Sequence, residues 1–411
     1  MAKLNRTLSL FDAVNIALGS IIGAGIFVIL GSAAGIAGPA VFLSVLVAAA
    51  VALMTGLASS GLSRRFPKSG GAYLFAREAI SHSAGFIVGW IWLFSNIAAG
   101  ATVAVGFGHY LAFFLPSVPA NLAAALIVLL ATAINLLGAG QSSKVNNVLV
   151  ALKVLILLAF VAVSLFFFKP ANFSPLAPFG IAGILAGAAT IFFAYAGFAR
   201  VAVIADEVKN PEVNVPKATI ISIAVSTLLY SAVAVGAVGL AGWQALSESG
   251  SPLADALASV GLGFGASIIA AGALIATGTV VLSSVLGLSR LAFTMAEAKE
   301  LPGWLGAIGK SSVPANSILV SGAATLLFAL FADLPHIAYI SSFSLLLYYA
   351  AINLSGIRIL DGNARYAAFG GLLSCAILMF SLPLQSWLVG LAAVTLGILY
   401  YLLFVRERGK N

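Results

Sequence analysis

The sequence has few charged residues and a single cysteine. Aspartate, glutamate, lysine and arginine make up 8% of its 411 residues, against 62% hydrophobic residues. A soluble domain has roughly 25% charged residues, so this composition excludes a water-soluble globular fold. Cys375 has no partner for an intrachain disulfide and lies in an apolar run, where we interpret it as a small core residue. The three histidines lack the spacing of a metal site, and we expect no metal and no cofactor.

Long apolar runs are the main feature of the sequence. Runs long enough to cross about 30 Å of hydrocarbon predict an all-α integral membrane protein with about twelve transmembrane helices. We refer to them as predicted spans one to twelve, and residues 1–411 are expected to form a single polytopic membrane domain. Their predicted limits are 11–37, 41–63, 84–115, 120–138, 145–168, 181–205, 217–241, 265–296, 315–332, 336–357, 365–382 and 385–405.

Basic residues occur in every second loop between these spans. The net charge of +8 therefore indicates membrane topology and not a nucleic-acid surface. Basic residues stay on the cytoplasmic side of short loops, so both termini are predicted to face the cytoplasm at the cell membrane. The residues that mark this side are Arg64, Arg65, Lys68, Arg77, Lys144, Arg200, Lys209, Lys217, Arg290, Lys299, Lys310, Arg358, Arg365, Arg406, Arg408 and Lys410.

Glycine interrupts predicted span one near its middle. Residues 19–27 read GSIIGAGIF, and each glycine costs about 1 kcal/mol relative to alanine inside a helix. Two interpretations are open. The helix breaks here, or Gly19 and Gly23 form a G-x-x-x-G motif on which another helix packs closely.

Predicted span six has a comparable interruption, because residues 192–199 read FFAYAGFA. Spans one and six would begin two halves of a five-plus-five arrangement, and paired interruptions are typical of transporters built from inverted repeats. Unwound backbone is tolerated at membrane depth only where it lines a cavity or meets a ligand. Free N–H groups at a half-helix start attract a carboxylate, and free carbonyls at a half-helix end attract an ammonium, so an amino acid zwitterion fits both.

Along essentially its whole length the sequence resembles the amino acid-polyamine-organocation superfamily of permeases. Three motifs carry the resemblance: the run from Gly19, the FAYAGF segment from Phe193, and DEVKNP from Asp206 followed by PKA from Pro216. The resemblance implies the leucine-transporter-type fold. That fold has two inverted repeats, about 11–168 and 181–357, in which helices one and six are broken, plus two helices over about 365–405.

The resemblance also implies a substrate site built from the two interrupted segments, namely Ile21, Gly23, Ala24, Gly25, Phe193, Tyr195, Ala196 and Gly197. Amides of the first segment would hold the substrate carboxylate, and carbonyls near Ile21, Phe193 and Ala196 would hold its amine. Phe193 or Tyr195 would cover the site as a gate, and a lipid-facing position is the alternative for both. Further candidates for the cavity lining are Trp92, Asn96, Ser341, Ser342 and Phe343.

One position departs from the family pattern. Many relatives have a glutamate directly after the Gly-Phe pair of span six, where this chain has Ala199. The loss of this carboxylate argues against a cationic substrate, and we therefore expect a small neutral amino acid.

Lys153 lies inside predicted span five, about 13 Å of helix rise from Lys144 at the membrane edge. An ionisable residue at this depth is a functional candidate, with snorkelling to the interface as the alternative. Some proton-coupled relatives have a lysine at this place, and the resemblance implies that Lys153 carries the proton. Its ammonium would bond the Gly19 carbonyl and the hydroxyls of Ser283 or Ser284, although these hydroxyls could also bond their own helix.

These observations predict a secondary transporter that moves an amino acid together with protons by alternating access. The expected partners are the amino acid, protons and the lipid bilayer, with no nucleic acid. An amino acid or polyamine exchanger is the alternative among transporters, and a permease-like sensor or a channel is the alternative outside them. No arrangement of nucleophile and base or of paired carboxylates appears at membrane depth, so an enzyme is not expected.

Overall fold

The computed structural model describes residues 6–23, 25–66, 70–138, 143–308, 313–331 and 334–406. Within these ranges the chain is helical and forms no sheet, apart from an isolated parallel bridge between Leu8 and Val208. The first helices are α1 Leu10–Ile21, α2 Leu30–Ala37, α3 Val41–Arg65, α4 Gly71–Ala79, α5 His82–Phe114, α6 Ala120–Leu136, α7 Ser143–Phe166, α8 Gly180–Ile191 and α9 Arg200–Val203. The remaining helices are α10 Pro211–Ala241, α11 Trp243–Glu248, α12 Pro252–Ala258, α13 Gly263–Glu297, α14 Ala315–Phe331, α15 Leu334–Ile359, α16 Gly362–Phe380 and α17 Leu384–Tyr400.

The described helices confirm an all-helical membrane protein. Nine helical stretches in this part of the chain are long and apolar enough to cross a bilayer, and α6 and α14 are shorter apolar helices of 17 residues each. The first stretch, Leu10–Arg65, is 56 residues long and contains both predicted spans one and two. The helices run almost end to end there, because only a short 3₁₀ turn, Gly38–Ala40, lies between α2 and α3.

Large apolar side chains are exposed on the outer helices. Leu155 and Phe166 on α7 are 62% and 85% exposed, and Leu373 on α16 is 64% exposed. Water would not tolerate so much contiguous apolar surface on a monomer, whereas lipid chains solvate it. The buried core lies between α1, α3, α5, α10, α13 and α15.

Regular α-helical winding stops inside predicted span one. α1 begins at a capping box, in which Ser9 Oγ accepts from the Asp12 amide at 3.2 Å and the Asp12 carboxylate accepts from the Ser9 amide at 3.0 Å. It ends at Ile21, and the chain then forms a π-helix over Gly25–Ile29 before α2. The change of winding coincides with the glycine-rich run.

Predicted span six also changes its winding, but it stays helical. α8 ends at Ile191, and Phe192–Ala199 continues as a 3₁₀-helix before α9. Such 3₁₀ runs are usually only three or four residues long, and a longer one inside a helix often marks a functional hinge or strain. The eight residues of this segment are buried or partly buried.

The two irregular segments pack directly on each other. A Cβ atom added to Gly197 would overlap the backbone of Ser20 and Ile21, and one added to Gly25 would overlap Ala194. Only glycine permits this separation between the two main chains. Gly19 and Gly23, the two glycines of the packing alternative, also have close neighbours, but on two different helices. A Cβ atom added to Gly19 would lie 2.9 Å from side-chain atoms of α7, and one added to Gly23 would lie 2.7 Å from Val280 on α13.

Candidate functional site

A cavity lies where the two irregular segments meet. It is bordered by α1 and the residues after it, the middle of α5, the 3₁₀ segment of span six, α13 and α15. Its described lining residues are Ser20, Ile21, Gly23, Gly25, Trp92, Asn96, Ala99, Gly100, Val103, Phe193, Ala194, Ala196, Gly197, Ala199, Arg200, Val280, Ser284, Leu345, Tyr348 and Tyr349. Glycine and alanine contribute eight of these twenty residues, so much of the wall has small side chains.

Most of the predicted substrate residues border this cavity, namely Ile21, Gly23, Gly25, Phe193, Ala196 and Gly197. Ala24 lies outside the described residues. Tyr195 points toward α10, where its hydroxyl donates to Thr227 Oγ1 at 3.2 Å and its ring packs edge-on against Tyr230. In this conformation Phe193 borders the cavity, whereas the Tyr195 side chain packs against α10.

Two tyrosine hydroxyls donate to the carbonyls of the irregular segments. Tyr230 on α10 donates to the Ile21 carbonyl at 2.7 Å, and Tyr349 on α15 donates to the Ala196 carbonyl at 2.8 Å. The two tyrosines thus hydrogen-bond the main chain of the irregular segments at membrane depth. The Ile21 carbonyl also accepts from the Gly23 N–H, so both of its lone pairs are used.

The end of α1 and the following π-helix present main-chain groups to the cavity. Gly23 donates its N–H to the Ile21 carbonyl at 2.8 Å, which closes a tight turn directly after α1. Gly25 borders the cavity at the start of the π-helix, and the first N–H groups of a helix have no intrahelical partner. This arrangement suits a bound carboxylate.

Lys153 is only 2% exposed, so it does not snorkel to an interface. Its Nζ donates to the Gly19 carbonyl at 3.2 Å and thereby joins α7 to α1. The two serines proposed as further partners bond elsewhere. Ser283 Oγ donates to the Val280 carbonyl, and Ser284 Oγ donates to the Asn96 carbonyl at 3.3 Å and borders the cavity.

Arg200, which lies just before the basic loop that follows predicted span six, also borders the cavity. Its guanidinium donates to Ser283 Oγ at 2.9 Å, and the residue is partly buried at the start of α9. Arg200 falls within the limits of predicted span six, 181–205, and an arginine at that depth is itself a signal of a functional residue.

The other candidates for the cavity lining lie on two helices, and those on α5 border the cavity. Trp92 and Asn96 on α5 border the cavity as expected. Residues 341–343 are not among the described residues that border the cavity, and Ser341 donates to the Ser95 carbonyl and Ser342 to the Thr190 carbonyl. The cavity side of α15 lies one turn further on, at Leu345, Tyr348 and Tyr349.

Comparison with known proteins decides the family. A model of the amino acid permease family matches residues 12–410. The chain belongs to this family. It is therefore a transporter and not an enzyme, and the permease is a multi-pass membrane protein.

Similar proteins are named as transporters of different solutes. The permease is 33% identical to the methylthioribose transporter of Bacillus subtilis, over 98% of this chain and 94% of the relative. It is 29% identical to the branched-chain amino acid permease BcaP of the same organism, over 99% and 95%. It is also 33% identical to the mouse cationic amino acid transporter 4, over 85% of this chain and 59% of that longer protein.

Proposed function

We propose that the permease is a proton-coupled symporter that carries a small amino acid by alternating access. The observation that carries this proposal is the contact of Gly197 with the Ser20–Ile21 backbone, beside a cavity that both irregular segments border. Main-chain groups at such interruptions bind the two charged ends of a zwitterion. In this proposal the carboxylate lies near Gly25 and the amine near the Ala196 carbonyl. The Ile21 carbonyl would join it only if the substrate displaced one of the two present donors, Tyr230 or Gly23.

We further propose that the chain is one domain of twelve spans with the leucine-transporter-type arrangement. Two inverted repeats, about 11–168 and 181–357, would be followed by two helices over about 365–405, with both termini in the cytoplasm. Supporting this count, Leu10–Arg65 contains two predicted spans, and α6 and α14 supply two more. The irregular segments occupy the first span of each proposed repeat and pack on each other.

Lys153 is proposed to carry the proton. Its ammonium joins α7 to the Gly19 carbonyl, just before the end of α1. A hydrogen bond from a charged donor is roughly twice as strong as one from a neutral donor, so proton loss would weaken this connection. The cytoplasmic half of span one would then be free to move and open the cavity to the inside.

The substrate is proposed to lack a positively charged side chain. Ala199 replaces the family's usual carboxylate in the cavity wall, and Arg200 adds a cation beside it. In this respect we expect the permease to resemble the branched-chain amino acid permease and to differ from the cationic amino acid transporter. Small neutral amino acids are the first candidates on the basis of Ala199.

Uptake into proteoliposomes tests the function. The purified permease is first screened by thermal shift against the common amino acids and methylthioribose, because a ligand stabilises the state that it binds. The stabilising compound is then supplied in labelled form, with an imposed inward proton gradient or an imposed sodium gradient. We expect accumulation with the proton gradient alone.

Lys153→Ala should abolish the response to the proton gradient, while Lys144→Ala, which changes an exposed lysine on the same helix, should retain it. Uptake driven only by sodium would contradict proton coupling. Counterflow that persists without a gradient, with no net accumulation in the wild type, would indicate the exchanger. If methylthioribose is the only compound that stabilises the permease, then methylthioribose, and not an amino acid, is its substrate.

A further inference from the structure

Polar side chains lie between α1 and α7, on the side of Lys153 that is predicted to face the cytoplasm. Asn147 Nδ2 donates to an Asp12 carboxylate oxygen at 2.9 Å, which joins the two helices near their first turns. A Cβ atom added to Gly19 would lie 2.9 Å from Asn146 Oδ1, so the Asn146 amide also contacts α1. The polar groups of α7 therefore meet α1 at two levels.

A third asparagine, Asn15, lies on α1 between these two contacts, and we call Asn15, Asn146 and Asn147 the asparagine track. Asn15 follows Asp12 by three residues and precedes Gly19 by four, so helical periodicity places it on the face of α1 that meets α7. The residue is only 8% exposed. Polar side chains inside a membrane protein are costly, and they often mark the pathways of ions and protons.

Each member of the asparagine track has a buried amide atom without a hydrogen-bond partner among the residues that the structure describes. These atoms are Asn15 Nδ2, Asn146 Nδ2 and Asn147 Oδ1. Nearly all buried amide groups of folded proteins bond to protein or to water, because an unpaired group is costly. Two donors and one acceptor suit water, which both accepts and donates. The track therefore offers water several polar partners between the two helices.

Gly19 connects the asparagine track to Lys153. Its carbonyl accepts from the Lys153 ammonium at 3.2 Å, and the Asn146 amide lies against its α-carbon. Asn146, Val150 and Lys153 follow each other at intervals of four and three residues, so they share one face of α7. The lysine and the track therefore meet at the same residue of α1.

We propose that the asparagine track orients water molecules through which the proton of Lys153 leaves to the cytoplasm. The Lys153 ammonium gives one proton to the nearest water and becomes a neutral amine. Each water passes a proton to the next, and the Asp12 carboxylate accepts the last one and releases it to bulk water. The amides are positioning residues, because they hold the water and are not protonated themselves. This inference rests on the proposed proton coupling, and it adds the route and the residues that form it.

Asn146→Leu and Asn15→Leu test the route, because leucine is close to asparagine in size and has no polar side-chain atoms. Proton-driven uptake into proteoliposomes should slow by roughly tenfold, since an apolar side chain raises the barrier to a charge that moves between the helices. Substrate affinity and the unfolding midpoint of the purified protein should stay near the wild-type values. Proton transfer should then limit the rate, so D₂O should slow uptake more in these variants than in the wild type.

Asn146→Ser, which keeps a hydrogen-bonding group, should retain most of the uptake. Asn121→Leu, at an exposed position on α6, is the control and should match the wild type in every measurement. The two leucine substitutions lie on different helices, so either one tests the route if the other variant does not fold. Wild-type rates in the leucine variants, or slow uptake with an unchanged effect of D₂O, would overturn the inference. If the wild type itself does not respond to a proton gradient, the proposed proton coupling fails instead.

Discussion

The hydroxyl of Tyr73 lies 3.0 Å from each carboxylate oxygen of Glu300, a residue that is only 1% exposed. Tyr73 lies on α4, the helix between α3 and α5, and Glu300 follows the end of α13. The contact therefore links α4 to the end of α13. Arg77 donates to the Tyr73 oxygen at 3.2 Å. Burial raises the pKa of the Glu300 carboxyl, and burial together with the Glu300 charge raises the pKa of Tyr73 to about 12.

This contact predicts a pH dependence of stability. The pKa of Glu300 is higher in the folded protein than the ordinary value of 4.5. Its contribution to the free energy of unfolding is therefore complete below that value and is lost as the pH rises through the folded-state pKa. Wild-type protein in detergent should lose thermal stability relative to Glu300→Gln over this rise. Glu297→Gln, at an exposed position nearby, should follow the wild type. Parallel profiles for wild type and Glu300→Gln would contradict the prediction.

The contact between the irregular segments predicts that Gly197→Ala is harmful. The added methyl would overlap the Ser20–Ile21 backbone and force the two segments apart, at a cost of about 1–3 kcal/mol. We expect a lower unfolding midpoint and loss of transport. Gly278→Ala on α13 is the matched control, because the nearest atoms to its Cβ would be 3.8 Å away. Normal transport by Gly197→Ala would show that the close approach is not needed.

The membrane spans follow from the sequence because apolar length is a local property. Each predicted span overlaps one or more of the described helices, with limits that differ by up to six residues, and nine helical stretches in the described part are long and apolar enough to cross a bilayer. The type of helix inside each span was harder to predict from the sequence. The run 19–27 indicated a break, but the π-helix over Gly25–Ile29 and the 3₁₀-helix over Phe192–Ala199 depend on packing between distant segments. No local pattern specifies that packing.

Some of the cavity residues could also be predicted, because their signal is local in the sequence. The glycine-rich run and the lysine are visible in the sequence as exceptions inside apolar segments, and so the sequence predicts roles for Gly25, Gly197 and Lys153. Arg200 was also an exception, since it fell inside the limits of predicted span six, and the rule applied to Lys153 would have found it. Tyr230 and Tyr349 left no such signal, because their acceptors are carbonyls on other helices.

Tyr349→Phe should destabilise the irregular segment of span six. The Ala196 carbonyl would lose the hydroxyl that donates to it at 2.8 Å, and an unpaired buried acceptor costs about 1–3 kcal/mol. A lower unfolding midpoint and weaker substrate binding are expected. The exposed Tyr366 on α16 offers a control, and Tyr366→Phe should change neither quantity. An unchanged midpoint for Tyr349→Phe would mean that another donor replaces the hydroxyl.

Truncation of Phe198 is predicted to reduce mainly the stability of the protein, and truncation of Phe193 is predicted to reduce mainly substrate binding. Phe198 is fully buried and stacks on Tyr349 with ring centroids 5.0 Å apart, whereas Phe193 borders the cavity. Phe198→Ala should therefore lower the free energy of unfolding by about 3–5 kcal/mol. Phe193→Ala removes contacts with a space that is already open, so its cost in stability should be smaller.

Transport measurements should distinguish Phe193→Ala from Phe198→Ala further. If Phe193 covers the bound substrate, Phe193→Ala should weaken substrate binding and uptake in protein that remains folded. The unfolding midpoint in detergent and the affinity of purified protein for its substrate are measured on the same preparations. Equal losses of stability in both variants, with substrate affinity unchanged in Phe193→Ala, would assign Phe193 to the core and leave the cavity without this gate.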